Sequence, residues 1–470
     1  MRRSSQGDGS IGLPAFFTLA TLAAGSLAHA QQRTWLREFG TFNDDAASAV
    51  SVAEGGGCFV AGTTWTLWFP GGVDPADIFL SRFDDAGTLL WGVQFGSSGD
   101  DWVYASTPDG SGGVFLAGET GGSFGGPYAG GFDAWFARCD AAGNRLWVKQ
   151  IGTPGLDRAV AVATDGHDGV FVVGGSAGAG GGGYWLTRYD GSGRAMWFRP
   201  LARAASFFAL APDGQGGLFA AGSTTTSFAG PHMGLQDAWI GRFDPDGNML
   251  WARQLGTTAA DWAQGLAEDG LGGAFVAGVT YGALAGSNAG EADAWAAHYD
   301  GSANQLAFAQ FGTLQFDGIT CVARDATGGA IVSGVTNGSM GASSAGAADA
   351  WVAHLDSGLN ISWIDQFGSP VHDQPGAIAF AGPGNAYVCG WTYGDLPGTG
   401  GGGGGDDAWL ARYDLCYADC NGDGAQTVAD FGCFQSKYVL GDPYADCNAS
   451  GNLTIADFGC FQNKYVLGCP

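Results

Sequence analysis

Residues 110–118 read GSGGVFLAG, and residues 133–152 read DAWFARCDAAGNRLWVKQIG. The first stretch is a glycine-rich turn followed by a continuous apolar run, and the second holds two apolar segments joined by a tight turn. Neither has the periodicity of an amphipathic helix. Short strands joined by such turns are typical of an antiparallel meander, and strands this apolar need cover on both faces of their sheet.

The same pattern recurs seven times. The units begin at residues 35, 91, 147, 197, 251, 307 and 363, and the last one ends at Asp414. Most units contain a strand ending in Phe-Gly, an Asp five residues after that glycine, two further strands, and Asp-Ala-Trp opening a fourth. A single sheet cannot cover both of its own faces, whereas radial stacking can. We therefore expect an all-β fold, a seven-bladed β-propeller of four-stranded antiparallel blades, over residues 31–415.

The phase of the repeat predicts how the ring closes. Each Trp strand follows an Asp-Ala-Trp strand through a tight turn, so it should be the outer strand of the preceding blade. The last unit has no Trp strand after it. We therefore expect residues 35–39 to pair with residues 409–413, so that the two ends of the propeller complete one blade together.

The composition limits the partners. The 470 residues include 19 Lys and Arg against 45 Asp and Glu, a formal charge of -26. Nucleic acids and anionic membrane surfaces are disfavoured, because binding them requires clustered cations. Beyond the N-terminus no stretch reaches the roughly 18 apolar residues of a membrane span.

The N-terminus predicts export. Arg2 and Arg3 precede an apolar run over residues 11–27, which ends in Ala28-His29-Ala30. This arrangement indicates a signal peptide over residues 1–30 and a secreted, extracellular or cell-surface protein. The arginine pair leaves twin-arginine export as the alternative to the general secretory route.

Two twelve-residue segments near the C-terminus place oxygen donors at positions 1, 3, 5, 9 and 12, with glycine at 6 and a backbone carbonyl expected from position 7. These are the requirements of a calcium loop, so calcium is the expected cofactor. The second loop should bind more weakly, because Ser450 replaces an acid. The predicted ligands are Asp419, Asn421, Asp423, Ala425, Thr427 and Asp430 in the first loop, and Asp446, Asn448, Ser450, Asn452, Thr454 and Asp457 in the second.

Six of the ten cysteines crowd the same region, which places a domain boundary near Asp414 and a separate module over residues 416–470. In an oxidising compartment such a set predicts a disulfide framework, for which 15 connectivities exist. The internal repeat favours Cys420 with Cys433 and Cys447 with Cys460, which leaves Cys416 with Cys469.

The repeat units resemble the bacterial SBBP-type β-propeller repeat, on Phe-Gly-Thr-x(4)-Asp, Gly-Gly-x-Phe-Val-Ala-Gly and Asp-Ala-Trp-x-Ala-Arg-Tyr-Asp, over about residues 35–414. The resemblance implies the fold and an exported setting, and it implies no reaction. The duplicated calcium loops, each followed by a helix-like segment, resemble a cysteine-containing, GC-type dockerin module. Ordinary dockerins lack these cysteines, so recognition by a cohesin-like receptor is left open.

Several residues are candidates for function, each with a structural alternative. The Asp repeated in six units is expected to bind loop amides of its own blade. His298 and His354 stand where other units have Arg and should be substitutions at a blade-surface position. Trp65, Trp68 and Phe69 replace small residues in the first unit, so they either contact a glycan or protein or fold down onto the propeller. The fourth unit lacks both Phe-Gly and Asp over residues 201–207, which suggests a distorted blade.

These patterns favour a secreted or cell-surface binding or scaffold protein. The propeller would be the interaction platform, with a glycan as a possible ligand. The dockerin-like tail would be a calcium-dependent anchor to a cohesin-like receptor or another envelope component. No catalytic constellation stands out, so we expect no enzyme. The alternatives are an extracellular polysaccharide hydrolase or lyase carried by a dockerin, and a purely structural spacer.

Overall fold

The computed structural model describes residues 33–72, 76–177, 182–201, 204–325, 328–381, 385–401, 405–414, 420, 427–440, 445 and 453–467. The signal peptide predicted over residues 1–30 lies outside these ranges.

The described residues form 28 strands and two helices, with the following bounds: β1 Arg33–Phe39, β2 Asp45–Val52, β3 Cys58–Thr64, β4 Asp77–Phe83, β5 Leu89–Phe95, β6 Asp101–Pro108, β7 Val114–Thr120, β8 Asp133–Cys139, β9 Arg145–Ile151, β10 Asp157–Thr164, β11 Val170–Ser176, β12 Gly183–Tyr189, β13 Ala195–Pro200, β14 Ala205–Pro212, β15 Leu218–Thr224, β16 Asp237–Phe243, β17 Met249–Leu255, β18 Asp261–Glu268, β19 Ala274–Thr280, β20 Asp293–Tyr299, β21 Gln305–Phe311, β22 Asp317–Arg324, β23 Ala330–Thr336, β24 Asp349–Leu355, β25 Ile361–Phe367, β26 Asp373–Phe380, β27 Asn385–Thr392, β28 Asp407–Asp414, α1 Val428–Leu440 and α2 Ile455–Leu467.

The strands form seven four-stranded antiparallel sheets, which are the blades of a propeller. Blades 1 to 6 are consecutive groups of four from β2 to β25, and blade 7 has the order β26, β27, β28, β1. The first strand of each blade contacts the first strands of both neighbouring blades, so these seven inner strands surround a central axis. The fold predicted from the repeat is confirmed.

The ring closes through the N-terminal strand, as the repeat phase predicted. β1 pairs antiparallel with β28, and Leu36 faces Ala411 while Phe39 faces Ala408. Blade 7 therefore takes three strands from the end of the propeller sequence and one from its beginning. This pairing leaves neither β28 nor β1 as an unpaired chain end.

Apolar residues of consecutive blades pack against each other. One cluster contains Phe59 and Leu80 of blade 1 together with Trp135 of blade 2, and six further clusters join the remaining neighbours around the ring. The Trp of Asp-Ala-Trp is fully buried in five blades: Trp135, Trp239, Trp295, Trp351 and Trp409. Radial stacking thus supplies the cover that these strands need.

Six of the seven blade interfaces share a polar contact on the face that carries the longer loops, which we call the loop face. The amide of Asp101, the first residue of an inner strand, donates to the carbonyl of Ala76 in the preceding blade at 2.9 Å. The Phe-Gly glycine lies beside this contact: a Cβ on Gly96 would come within 2.2 Å of Asp77 Oδ1 and 2.6 Å of Asp101 Oδ2. Only glycine fits between the two carboxyl groups, which explains the Phe-Gly motif.

A glutamine near the end of the outer strand ties each of five blades to its own loop. In blade 2, Gln150 Nε2 donates to Asp133 Oδ2 at 2.7 Å, and Gln150 Oε1 accepts from the amide of Phe124 at 2.8 Å. Blade 7 has Glu38 instead. Its Oε2 accepts from the amide of Leu396 at 2.7 Å, and its Oε1 is buried without a hydrogen-bond partner in the described structure. Carboxylate oxygens of Glu38, Asp395 and Asp407 lie within 4.8 Å of one another.

Replacing Glu38 by Gln should stabilise the closing blade. The amide would restore a donor toward Asp407 and remove a negative charge beside two others, so we expect the free energy of unfolding to rise by about 1 kcal/mol. Urea unfolding in EDTA, which excludes any contribution from a bound cation, measures the change.

The matched control for this substitution is Gln150→Glu in blade 2, which removes a donor where Glu38→Gln adds one. It should lower stability. Equal effects of the two substitutions would contradict the donor argument.

The two helices form a small aromatic core. Phe434 of α1 stacks on Phe461 of α2 with ring centroids 4.2 Å apart. Phe431 meets Tyr465 and Tyr438 meets Phe458, so the start of each helix lies against the end of the other. The helices are therefore antiparallel. No helix in the described part of the chain is both long enough and apolar enough to cross a bilayer.

The disulfide between Cys420 and Cys433, predicted from the repeat, is present, with a Cα–Cα distance of 5.7 Å. Cys460 is also disulfide-bonded. Its predicted partner Cys447, and the predicted pair Cys416 and Cys469, lie outside the described residues.

Candidate functional site

The repeated Asp side chains serve the fold of the loops. Asp101 Oδ2 accepts from the amide of Ser97 at 2.6 Å, and Asp157 Oδ2 accepts from the amide of Thr153 at 2.6 Å. The equivalent carboxyl groups of blades 1, 5, 6 and 7 make the same contact. The expectation that each Asp binds amides within its own unit is confirmed, and these acids are committed to structure rather than to one shared site.

Burial raises the pKa of Asp101 to about 6, although hydrogen bonds from Thr120 and Ser97 act in the opposite direction. Asp101 has a higher pKa in the folded state than in the unfolded state, where its pKa is near 4. The proton therefore stabilises the folded state by its full amount when the pH is below the unfolded pKa. This stabilisation is lost as the pH rises through 6.

Asp101→Asn should therefore remove a pH dependence. The stability of the variant relative to the natural chain should improve by up to about 3 kcal/mol between pH 3.5 and pH 7. Urea unfolding at a series of pH values measures it, with Asp140→Asn as the control. Because hydrogen bonds from Asn144 lower the pKa of the exposed Asp140, that variant should show the opposite slope. Parallel stability profiles for Asp101→Asn and the natural chain would contradict the assignment.

The two histidines at Arg positions hold turns on the opposite face. His298 Nε2 lies 2.9 Å from Asp269 Oδ2, and His354 Nε2 lies 2.7 Å from Asp325 Oδ2. Arg138 pairs with Asp109 in the same way at 2.8 Å. Both histidines are therefore structural substitutions for Arg, as the alignment of the units indicated. Both are buried, so the expected blade-surface position is wrong.

The aromatic loop of blade 1 divides into two parts. Trp68 packs on Phe69, Phe39 and Phe79, with ring centroids 4.5, 5.8 and 5.3 Å apart. The amides of Trp68 and Phe69 also donate to Gln94 Oε1. Two of the three residues thus fold down onto the propeller beside the closing strand. Trp65 is 37% exposed and is the only one of the three left at the surface.

This division predicts unequal effects of substitution. Trp68→Ala should lower the free energy of unfolding by about 3 kcal/mol, because it removes aromatic packing between β1 and blade 1. Trp65→Ala, the matched control, should change it by less than about 0.5 kcal/mol. Thermal unfolding of both variants tests this, and equal losses would show that Trp65 is also needed for folding.

The interface between blades 3 and 4 departs from the other six. Gly183 and Tyr184 replace the Asp and Ala of Asp-Ala-Trp, and Ala205 replaces the Asp of the next inner strand. The loop from β11 to β12 spans residues 177–182, half the length of residues 121–132 in blade 2. The inter-blade bond from an Asp amide is accordingly missing from the described structure here.

A cleft with a cavity volume of about 500 Å³ opens at this interface. Arg158 and Val160 of β10 line one side, and Phe207 and Phe208 of β14 line the other, with Tyr184 of β12 between them. The volume is within the usual range for small-molecule sites. Blade 4 itself pairs regularly, so the departure predicted over residues 201–207 affects the blade interface and not the blade.

The seven inner strands line a channel along the axis of the propeller, and the cleft shares two residues with the opening of this channel. Every inner strand shifts its register by one residue near its start, and the seven extra residues surround the axis. Val160 and Phe208 belong to both the cleft and the channel mouth. The other five residues of this ring are Ser48, Tyr104, Gln264, Thr320 and Gly376.

A polar chain connects blade 2 to the cleft. The Tyr104 hydroxyl donates to Glu119 Oε1 at 2.7 Å, and Glu119 Oε2 lies 2.9 Å from Arg158 Nε. Glu119 is buried, whereas the side chain of Arg158 is 51% exposed. Burial raises the pKa of Tyr104, and Glu119 raises it further, so its hydroxyl remains a hydrogen-bond donor.

Two features of the third unit in the sequence mark the cleft. The third unit is the shortest, 50 residues against 56 for most others, and it alone lacks the Asp of Asp-Ala-Trp. Both features are deviations from the repeat, and each is local. That they meet at one interface, with Arg158 and Phe208 beside them, depends on the arrangement of the blades.

Four of the twelve predicted calcium ligands lie within the described residues. Asp430 and Asp457 are fully buried at the starts of α1 and α2. Asp430 Oδ2 accepts from the amide of Thr427 at 2.7 Å, and Asp457 Oδ2 accepts from the amide of Thr454 at 2.6 Å. These bonds cap the helices. The other eight predicted ligands lie outside the described residues: Asp419, Asn421, Asp423, Ala425, Asp446, Asn448, Ser450 and Asn452.

The fold and its repeated interfaces define a seven-bladed β-propeller. Residues 250–284 match the family model of the SBBP β-propeller repeat. This match covers one of the seven units identified from the sequence. No curated protein matches the chain.

The solved structures to which the chain is similar have low sequence identity. A Bacteroides caccae protein of unknown function is 12% identical, with a TM-score of 0.34, over 59% of this chain and 83% of that one. A Dyadobacter fermentans protein of unknown function is 14% identical, with a TM-score of 0.41, over 81% of this chain and 98% of that one. A puromycin hydrolase S511A mutant complexed with PGG is 17% identical, with a TM-score of 0.43, over 75% of this chain and 51% of that one.

Proposed function

We propose that this chain is a secreted or cell-surface binding protein. The loop face of the propeller is its interaction platform, and the C-terminal dockerin-like module over residues 416–470 is its calcium-dependent anchor. The anchor binds a protein of the envelope, either a cohesin-like receptor or another component. The propeller carries the recognition, and the module determines where it is displayed.

The cleft between blades 3 and 4 is the observation that carries this proposal. At the other six interfaces the repeat places an acid, a glycine and a backbone hydrogen bond that hold adjacent blades together. At this interface all three are absent from the described residues. The cleft also contains Phe208, which is 40% exposed because it is the extra residue at the register shift of its inner strand. Residues that deviate from a repeat and expose an aromatic ring beside a cavity are typical of recognition sites.

The anchor rests on the chemistry of the two capped helices. A fully buried carboxylate needs compensating partners, and the amide of the preceding Thr supplies one to each of Asp430 and Asp457. A calcium ion bound by the oxygen-rich residues before each helix would supply another. Asp430 and Thr427 would hold the first ion with their loop, and Asp457 and Thr454 would hold the second.

Metal and disulfides should supply much of the stability of the module, because its core is small. Calorimetry of the full chain in EDTA and a thiol reductant should therefore lose the transition of the module and keep that of the propeller. The four cysteines free in the described propeller are Cys58, Cys139, Cys321 and Cys389, so reduction should not change it. Simultaneous loss of both transitions would contradict the two-domain interpretation.

Capture of partners from the envelope of the producing cell tests the function. The full chain should retain an envelope protein in calcium and release it in EDTA. Asp430→Asn should weaken this retention, whereas Asp140→Asn, in an exposed propeller turn, should not. Retention that is indifferent to calcium would contradict the anchor. Turnover of a polysaccharide panel by the purified chain would contradict a binding protein and favour an enzyme.

A further inference from the structure

We infer that the cleft between blades 3 and 4 binds a neutral, polyhydroxylated ligand, of the size of one or two sugar rings. This inference rests on the proposed binding function and assigns a ligand class to its site. The site consists of Arg158, Tyr184, Phe207 and Phe208, with Glu119 behind Arg158.

The shape of the cleft results from two replacements of Asp by smaller residues and one shortened loop. Gly183 and Ala205 remove both carboxyl groups of the inter-blade pair, and the loop over residues 177–182 is half as long as its counterparts. The cavity of about 500 Å³ between the described residues shares Val160 and Phe208 with the channel mouth. A compact ligand can enter it without displacing a strand.

Two aromatic residues occupy positions where the repeat does not need them. Tyr184 stands where five blades have a fully buried Ala: Ala134, Ala238, Ala294, Ala350 and Ala408. Its ring lies 5.5 Å from that of Phe207. Phe208 is one of the seven extra residues of the inner strands and keeps 40% of its surface exposed. Exposed ring faces beside polar groups provide a flat apolar surface for a ligand that is itself apolar on one face.

The polar side of the cleft offers the guanidinium of Arg158 as a donor and the hydroxyl of Ser176, which can donate or accept. Arg158 Nε lies 2.9 Å from Glu119 Oε2, and the side chain of Arg158 is half exposed, which leaves its other N–H groups for a ligand. Glu119 is buried behind Arg158 and is not a lining residue of the cleft, so it positions the guanidinium and does not contact the ligand. Because hydroxyl groups both donate and accept, a polyol can accept from Arg158 and exchange a hydrogen bond with Ser176.

The charge balance excludes other ligand classes. Arg158 is already neutralised by Glu119, so an anion would have to compete with a buried carboxylate at 2.9 Å. A cation would meet the exposed guanidinium. A wholly apolar ligand would remove water from Arg158 without replacing its hydrogen bonds, which is costly. A neutral molecule with an apolar face and a rim of hydroxyls satisfies all three conditions, and carbohydrates have this structure.

Ligand-observed NMR and calorimetry with the full chain test the inference. The panel comprises neutral monosaccharides and disaccharides, a uronic acid, an amino sugar and indole. We expect at least one neutral sugar to bind with a dissociation constant in the millimolar range or tighter. Phe208→Ala and Arg158→Gln should each weaken that binding by roughly tenfold or more. Tyr128→Ala, an exposed aromatic elsewhere on the loop face, should leave it unchanged.

Three results would overturn the inference: no neutral sugar binds, the uronic acid, amino sugar or indole binds in preference, or sugar binding is insensitive to the cleft variants. The circular dichroism of each variant must match that of the natural chain. Phe208→Ala should meet this condition because the ring is exposed. If calcium-dependent capture of an envelope protein persists while the sugar panel fails, the proposed function stands and the ligand class is wrong. If both fail, the proposed function fails too.

Discussion

The inter-blade contact on the loop face holds the ring together. The first residue of an inner strand donates its amide to the preceding blade, while its carboxyl group binds the loop that connects the two blades. One Asp therefore fixes both the loop and the neighbour, and the adjacent Phe-Gly glycine is required because a Cβ would collide with carboxyl oxygens. The apolar clusters between blades supply most of the burial, but they do not by themselves specify the register of one blade against the next.

Two places in the ring differ from the rest, with different consequences. At the closure the contact is kept, since the amide of Asp45 donates to the carbonyl of Asp406, but Glu38 introduces a carboxylate where five other blades use an amide donor. Trp68 packs on Phe39 beside it and stabilises the N-terminal strand. Between blades 3 and 4 the contact itself is absent from the described residues, and a cleft takes its place. We expect the carboxylate of Glu38 to lower stability. The missing contact between blades 3 and 4 leaves a cavity instead.

Six of the seven interfaces keep the inter-blade contact, and the seventh contains the cleft. The six closed interfaces hold the cleft walls, β10 and β14, as inner strands of two complete blades. The aromatic and charged residues of the cleft are therefore positioned by strands and not by long loops, which favours a ligand that fits without rearrangement. The two C-terminal helices pack on each other through Phe434 and Phe461, and a disulfide ties Cys433 of the first helix to Cys420.

The sequence by itself determined the number of blades, their strand order and the closing strand, because turn residues and apolar runs repeat at a nearly constant spacing. It also identified the structural use of the repeated Asp, His298 and His354, since a position that recurs in most units serves the fold of each unit. Only the tertiary structure decided that Trp68 and Phe69 pack on the propeller while Trp65 is exposed, and that Arg158, Tyr184 and Phe208 share a cleft. These outcomes depend on neighbours in adjacent blades, tens of residues away in sequence, and a repeat pattern carries no information about contacts that occur at one interface only.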